Sequence, residues 1–313
     1  PGDRVLILLP GERPGSVGDL LATALGRLGA VAIKHGPVRD VARTLGVLTG
    51  QKVNVLIGVP VQVLALARMG ESMGGAPLAL RRLLLTTDHV PDAVVQTLER
   101  TWDCEVYNHY GMTEMGLGGG VECQARRGYH LREADLYVEI VDPVTGEPVP
   151  DGERGEVVFT TLTRVGMPLI RYRTGDASRF LPGGCPCGTV LRTLERVRHR
   201  IDGRIEIDPD CHLTMANLDE ALFPIPGLLD FSATLAHEEG GDRLHVQAFV
   251  IEATGQATVS AIRRQLDTVP SIRSAREAGG LTVRVDVQAA DWGKTPEVHL
   301  SKRSIVLGSH NEL

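Results

Sequence analysis

The run Tyr107-Asn108-His109-Tyr110-Gly111-Met112-Thr113-Glu114 sets an aromatic ring, a glycine, a hydroxyl and a carboxylate in quick succession. Beyond the carboxyl end of a strand in a doubly wound sheet, where ligands bind, such a set can stack a base, let the backbone approach a phosphate and hold a magnesium ion. The same run also reads as a polar strand-to-loop turn. Further on, Gly152-Glu153-Arg154-Gly155-Glu156-Val157-Val158-Phe159-Thr160-Thr161-Leu162 precedes Arg171-Tyr172-Arg173-Thr174-Gly175-Asp176. A carboxylate after a glycine turn at a strand end can accept hydrogen bonds from both hydroxyls of a ribose; taken alone, Asp176 is equally a turn residue. A third set, Cys123, His130, Cys185 and Cys187, offers three thiolates and an imidazole, a closed tetrahedral group suited to structural zinc with no open position for catalysis. The Cys-x-Cys pair is tighter than the commoner two-to-four-residue spacer, so spacing alone leaves unpaired buried thiols equally open.

The elements around these residues follow from periodicity. From residue 5 to about 107, short β-rich runs at Val5–Leu9, Ala30–Lys34, Val53–Val59, Arg82–Thr86 and Cys104–Tyr107 alternate with amphipathic stretches at Val17–Leu28, Val38–Leu48, Pro60–Met69 and Pro91–Trp102. That alternation predicts parallel strands joined by helical crossovers, a doubly wound α/β layer. After residue 110 the texture becomes turn-rich and strand-rich, with strands expected at Tyr137–Val141 and Glu156–Leu162. Proline and glycine then crowd around Cys185-Pro186-Cys187-Gly188, and a basic stretch from Arg192 to Arg204 reads as an exposed junction. We place a domain boundary there: residues 1–201 form the later part of a large doubly wound, β-containing domain, and 202–313 a small α+β domain. Its expected elements are strands at Phe231–Ala236, Leu244–Ile251 and Leu281–Val287 and a helix at Thr258–Asp267.

Composition narrows the function classes. The 313 residues carry 33 basic and 39 acidic side chains, a net charge of −6, so no global cationic field exists to hold nucleic acid or an anionic membrane, and a phosphate site must be local. With 42% hydrophobic and 23% charged residues the chain is an ordinary globular one. The apolar runs, such as Val5-Leu6-Ile7-Leu8-Leu9, fall far short of the roughly 20 residues that span a bilayer. Five cysteines, an odd number in a chain too long to need disulfide staples, point to a reducing, cytoplasmic compartment. Cys104 and Cys211 lie outside the metal-like set and read as plain hydrophobes.

Together the segments resemble the adenylate-forming superfamily of acyl-CoA ligases, and most closely its phenylacetate-CoA ligase branch. The resemblance rests on Tyr110-Gly111-Met112-Thr113-Glu114, on Gly155 to Leu162, on Met167-Pro168-Leu169-Ile170-Arg171-Tyr172-Arg173-Thr174-Gly175-Asp176, and on Cys185-Pro186-Cys187-Gly188, in the family's order; beyond Asp202 it is weak. It implies that Tyr110 stacks on the adenine of ATP or AMP beside Gly111, that Thr113 hydrogen-bonds the α-phosphate, that Glu114 binds Mg2+ and that Asp176 holds the ribose. It also implies that Arg200-Ile201-Asp202, with His199 where the family has glycine, is a hinge whose arginine assists ribose binding and whose aspartate is the pivot of a mobile lid. Lys302, in Ser301-Lys302-Arg303, resembles the lysine that meets the carboxylate and α-phosphate, where a fixed ammonium is worth about 10²–10³ in rate; Lys294 is a competing candidate. The branch shares the cysteine and histidine segments, which favours Zn2+, and the resemblance is compatible with a homodimer.

Two departures qualify the match. The family's glycine-, serine- and threonine-rich phosphate loop is absent; Gly11 to Gly18 has no lysine and reads as the turn opening a crossover helix. With the Pro1 start, this leads us to expect that part of the parent polypeptide lies upstream. After the hinge, Asp208-Pro209-Asp210-Cys211-His212-Leu213 replaces the family's glycine-containing loop along the pantetheine tunnel, which makes thiol transfer less secure than adenylation. The leading expectation is an AMP-forming ligase that activates a carboxylic acid, aryl by resemblance, and passes it to coenzyme A. A different acceptor (a carrier protein, or transfer of AMP itself) and a nucleotide-binding module without turnover are the alternatives. The acyl pocket is expected at Gly58-Val59-Pro60 and Gly111 to Gly118, where residues are small or apolar.

Overall fold

In a computed structural model, which describes residues 2–74, 78–116, 118–208, 211–238, 241–252, 256–289 and 303–308, the first hundred residues fold as five parallel strands with helical crossovers. These are β1 (Arg4–Ile7), β2 (Val31–Lys34), β3 (Val55–Gly58), β4 (Arg82–Leu85) and β5 (Glu105–Tyr110), alternating with α1 (Val17–Arg27), α2 (Val41–Gly50), α3 (Pro60–Ser72) and α4 (Asp92–Trp102). The strands lie in the order β2-β1-β3-β4-β5, so the winding reverses between β1 and β3, the kind of switch point at which open α/β sheets bind ligands. Both faces are covered at the central strands β1, β3 and β4, which is why these read as near-continuous apolar runs, whereas β2 lies at the edge and β5 alternates. On one face Val5, Ile7, Leu9, Ile57 and Val59 pack under α1; the other face is covered by α2, α3 and α4. A glycine in the first turn of α1 is demanded sterically: a Cβ on Gly18 would meet the carbonyl oxygens of Pro10 and Leu9 at 2.8 and 2.9 Å.

Three antiparallel strands extend the sheet past β5: β6 (Gly120–Glu122), β7 (Tyr129–Leu131) and β11 (Thr193–Leu194). A separate antiparallel sheet of β8 (Leu136–Val141), β9 (Gly155–Thr161) and β10 (Tyr172–Ser178) packs Leu136, Val138, Ile140, Val157 and Phe159 in one core with Tyr110, Met115 and Tyr129. The last of these strands therefore runs beside the end of β5, and Asp176 comes to Tyr110.

After Asp202 the chain forms the hairpin β12 (Ile205–Asp208) and β13 (Cys211–Leu213), then α5 (Met215–Leu222). A four-stranded sheet follows, ordered β16-β15-β14-β17, from β14 (Leu228–Glu238), β15 (Gly241–Val250), β16 (Leu281–Ala289) and β17 (Val306–Gly308), with α6 (Gln256–Leu266) and α7 (Pro270–Glu277). This is the expected α+β texture; α5, α7, the hairpin and β17 were not expected from periodicity. Its apolar residues, among them Leu218, Leu222, Phe223 and Phe231, belong to the same continuous core as the α3 and α4 face of the large sheet. Arg68 of α3, only 6% exposed, crosses that seam and donates to the carbonyls of Phe223, at 2.5 Å, and Leu228. No described helix is long and apolar enough to cross a membrane.

Candidate active site

Tyr110 closes β5, and its burial follows from the alternation of that strand. Its ring stacks on Tyr129 at 5.5 Å between centroids and 23° between planes, and its hydroxyl donates to Asp176 Oδ2 at 2.8 Å. Burial, reinforced by the Asp176 charge, pushes the phenol well above its ordinary pKa, so the proton stays on oxygen as a donor. At 7% exposure with one face against Tyr129, Tyr110 can offer a base at most its other face and edge.

Asp176 is 1% exposed and is fixed by its backbone, which donates to Thr174 Oγ1 at 3.0 Å and bridges Arg200 in antiparallel fashion. Arg200 Nη1 stands 3.9 Å from Asp176 Oδ1, and its Nη2 4.0 Å from Asp202 Oδ2. Gly175 makes this approach feasible. Its φ is +72°, its carbonyl accepts from Ile201 N at 2.7 Å, and a Cβ there would lie 2.7 Å from Arg200 Nη2. The resemblance set Asp176 and Arg200 on the ribose and Asp202 at a hinge, and Arg200 lies between the two carboxylates.

These residues line a cavity of about 330 Å³ with Thr87, His89, His109, Gly111, Thr214 and Arg303. Beside it lies a larger cavity of about 850 Å³, lined by Leu9, Val17, Leu20, Leu21, Ile57 and Leu84 on one side and by His109, Thr113, Glu114 and Arg132 on the other. Thr87, His109, Gly111 and Arg200 border both. Thr113 and Glu114 sit in a single 3₁₀ turn, Thr113–Met115, that ends at Gly116 with φ of +73°. Of the expected acyl-pocket segments, Gly111 to Glu114, Gly116 and Gly118 line the larger cavity, but Gly58-Val59-Pro60 does not. Val59 is 7% exposed and buried under α1, Pro60 opens α3, and the helix α1 supplies the apolar wall instead. Ser301, Lys302 and Lys294 lie outside the described residues. Arg303 is described: its backbone N donates to Asp88 Oδ2 at 3.1 Å, its guanidinium pairs with Asp219, and it lies over the Phe231 ring at 4.4 Å. His109, Arg132, Asp88 and Arg303 carried no spacing signal, although His109 stood within the first run singled out.

A lone carboxylate such as Glu114 suffices for magnesium, which keeps several waters and takes its other ligands from substrate phosphates. The cysteine and histidine set converges from three places: Cys123 after β6, His130 in β7, and Cys185 and Cys187 in the loop between β10 and β11. Their ligand atoms lie within 4.8 Å of one another, with Cys123 Sγ to Cys185 Sγ at 3.5 Å and Cys187 Sγ to His130 Nε2 at 3.4 Å. Zinc–sulfur bonds of about 2.3 Å give a tetrahedron with edges of about 3.8 Å, so the donor set fits that ion closely. His130 Nδ1 faces Thr193 Oγ1 at 3.5 Å, which leaves Nε2 for the metal.

Comparison with known proteins agrees with this architecture. The AMP-binding enzyme family matches residues 1–163. Phenylacetate-coenzyme A ligase of Pseudomonas putida is 37% identical over 158 residues, 49% of this chain and 35% of that protein. The enzyme of the same name from Thermus thermophilus is 32% identical over 166 residues, 52% of this chain and 37% of its own. The matched region thus spans little more than a third of these relatives. Among solved structures, 2-hydroxyisobutyryl-CoA ligase in the postadenylation state aligns with a TM-score of 0.79 at 24% identity, covering 99% of this chain and 66% of that one. The same ligase in the thioesterification state aligns at 0.60 and 23% identity, covering 98% and 65%. At these identities the likeness concerns the fold.

Proposed function

Because this chain belongs to the AMP-binding enzyme family, we propose that it serves AMP-forming ligation. A carboxylic acid and ATP give an acyl-adenylate and pyrophosphate, and the thiol of coenzyme A then displaces AMP to leave a thioester. The observation that carries this reading is the convergence of Tyr110, Asp176 and Arg200 on a small cavity that shares a wall with a larger one. A nucleotide in the first and an acid in the second would bring carboxylate and α-phosphate together at that wall. The phenylacetate-coenzyme A ligase relatives favour an aryl acid.

The roles are those the resemblance implies, and the geometry supports those of Tyr110, Asp176 and Arg200. Tyr110, held as a donor, orients the Asp176 carboxylate, which accepts from the ribose hydroxyls while Arg200 assists from the other side. Gly111 lets the nucleotide approach the backbone, and the Thr113 hydroxyl donates to the α-phosphate. Glu114 would hold Mg2+, which when bound offsets phosphate charge. Lys302 would meet the developing charge at phosphorus. We place the division between a large domain, 1–201, and a lid, 202–313, at Asp202. The closer fit to the postadenylation neighbour supports a lid in the adenylation-side orientation. Cys123, His130, Cys185 and Cys187 would hold a Zn2+ that ties β6 and β7 to the β10–β11 loop. Cys104, Cys123, Cys185 and Cys187, none in a disulfide, suit a cytoplasmic setting.

The test is carboxylate-dependent exchange of labelled pyrophosphate into ATP by the full-length protein over a panel of aryl and alkyl acids. Exchange with at least one acid is expected; its absence with every acid, in folded protein, overturns the reading. Thioester formation on adding coenzyme A assigns the acceptor.

A further inference from the structure

The larger cavity is apolar on its α1 side, yet its opposite wall holds a polar group that the roles above do not use. His109 precedes Tyr110 on β5, and its Nδ1 is fixed at 2.7 Å from Thr86 Oγ1 at the end of the neighbouring strand β4. The parallel pairing of β4 and β5 sets that contact, so the ring is oriented by the sheet rather than by a loop. Nε2 has no hydrogen-bond partner among the described residues. It points toward Gly118, where a Cβ would stand 3.6 Å from Nε2 and 3.6 Å from Arg132 Nη1; the missing side chain keeps the space in front of the ring open.

Burial and, secondarily, the Arg132 guanidinium hold the imidazole below its ordinary pKa, so near neutrality it is uncharged. An uncharged ring with one nitrogen engaged presents the other as a single donor or acceptor, depending on the tautomer. A hydroxyl satisfies either in one small group, because it can both give and accept. An ammonium would be repelled by Arg132, and that arginine is itself matched, by Asp135 at 2.9 Å and by the Met115 carbonyl at 3.0 Å, so it does not call for a second anion.

We infer that His109, positioned by Thr86, is a specificity residue that hydrogen-bonds a hydroxyl on the acyl group, close to the carboxylate. Proximity to the carboxylate follows from His109 bordering both cavities: a group it touches lies at the wall where acid and nucleotide meet. The preferred substrate class is therefore an acid bearing a hydroxyl within a few bonds of its carboxyl carbon, such as an ortho-hydroxyaryl or a 3-hydroxyalkyl acid. The inference rests on the adenylate reading given above.

Non-hydrolysable acyl-sulfamoyl-adenosines test it without turnover. Two pairs are titrated calorimetrically into the protein, 2-hydroxybenzoyl against benzoyl and 3-hydroxybutyryl against butyryl. In at least one pair the hydroxyl should strengthen binding about fivefold to tenfold, the worth of one well-placed hydrogen bond. His109→Phe should collapse that ratio toward one and His109→Gln should retain part of it. A purely structural role would weaken both members alike and leave the ratio intact, which overturns the inference. Thr86→Val, which removes only the orienting hydroxyl, should lower the ratio partway and covers the case of a poorly folded His109 variant. Equal binding within both pairs by the unaltered protein overturns the specificity role and leaves adenylate binding standing; no binding of any analogue overturns both.

Discussion

The Tyr110 hydroxyl donates to Asp176 Oδ2 at 2.8 Å, joining the last residue of β5 to a carboxylate that is 1% exposed. A buried carboxylate that loses a charge-assisted donor keeps its desolvation cost, so Tyr110→Phe should lower unfolding free energy by about 1.5–3 kcal/mol. It should also weaken AMP binding, since Asp176 would no longer be held in place. Urea unfolding and an AMP titration check both; a variant unchanged in each contradicts the assigned positioning.

The thiol and imidazole set predicts about one zinc per chain by elemental analysis. Cys185→Ser should release the metal and lower the melting temperature, because the loops it ties have little core of their own. Metal-free protein of unaltered stability would count against the site.

Glu220 of α5 reaches across the seam to the start of α4, where its carboxylate accepts from Asp92 N at 3.0 Å and stands 3.5 Å from His89 Nε2. Although burial alone would raise it, His89 and the α4 backbone bring its pKa below the ordinary 4.5. The carboxylate thus binds its proton less firmly when folded, and its stabilising effect is present above pH 4.5 and lost as the pH falls through the folded value. Glu220→Gln should cost about 0.5–2 kcal/mol near neutrality. That deficit should shrink in urea midpoints taken progressively below pH 4.5; a deficit independent of pH would exclude the carboxylate as its source.

Asp219 behaves in the opposite sense. Burial pushes its carboxyl from 3.8 up to about 6, against the pull of Arg303. The folded chain then holds the proton more firmly than the unfolded one, so this group lowers stability as pH rises from about 4 to about 6 and has no further effect above. Asp219→Asn should remove that slope, visible as a difference in unfolding free energy between variant and parent that changes only within this window. Arg303→Gln should extend the window to higher pH.

How much of this was legible in the sequence depends on whether a feature is local. The parallel strands and their crossovers were, because a run such as Val5 to Leu9 reports burial directly and the apolar spacing of Val17 to Leu28 reports a helical period, although Leu20 and Leu28 remain exposed. The sequence singled out the run from Tyr110 to Glu114, the Gly175-Asp176 turn and the cysteine set, and the structure brings Tyr110 to Asp176 and the cysteines to His130. The walls of the larger cavity were not legible: Leu20 and Leu21 line it because α1 is the crossover on its face of the sheet, and no local pattern tells which helix that will be. Arg303 was read only as a neighbour of Lys302, and its partners Asp88 and Asp219 are distant in sequence. The stacking of Tyr110 on Tyr129 was not legible, since pairing across β5, β6 and β7 decides that contact.

The core shared by the two parts, with Arg68 bridging it, has a thermal consequence. If the lid turns about Asp202, the seam must part and apolar surface from α3, α4 and α5 meets water for the duration of the move. Hydration of such surface carries a positive heat capacity. The domain movement should therefore follow a curved dependence of rate on temperature, and in an enzyme whose two chemical steps are individually straight, that curvature would mark the interval when the seam stands open.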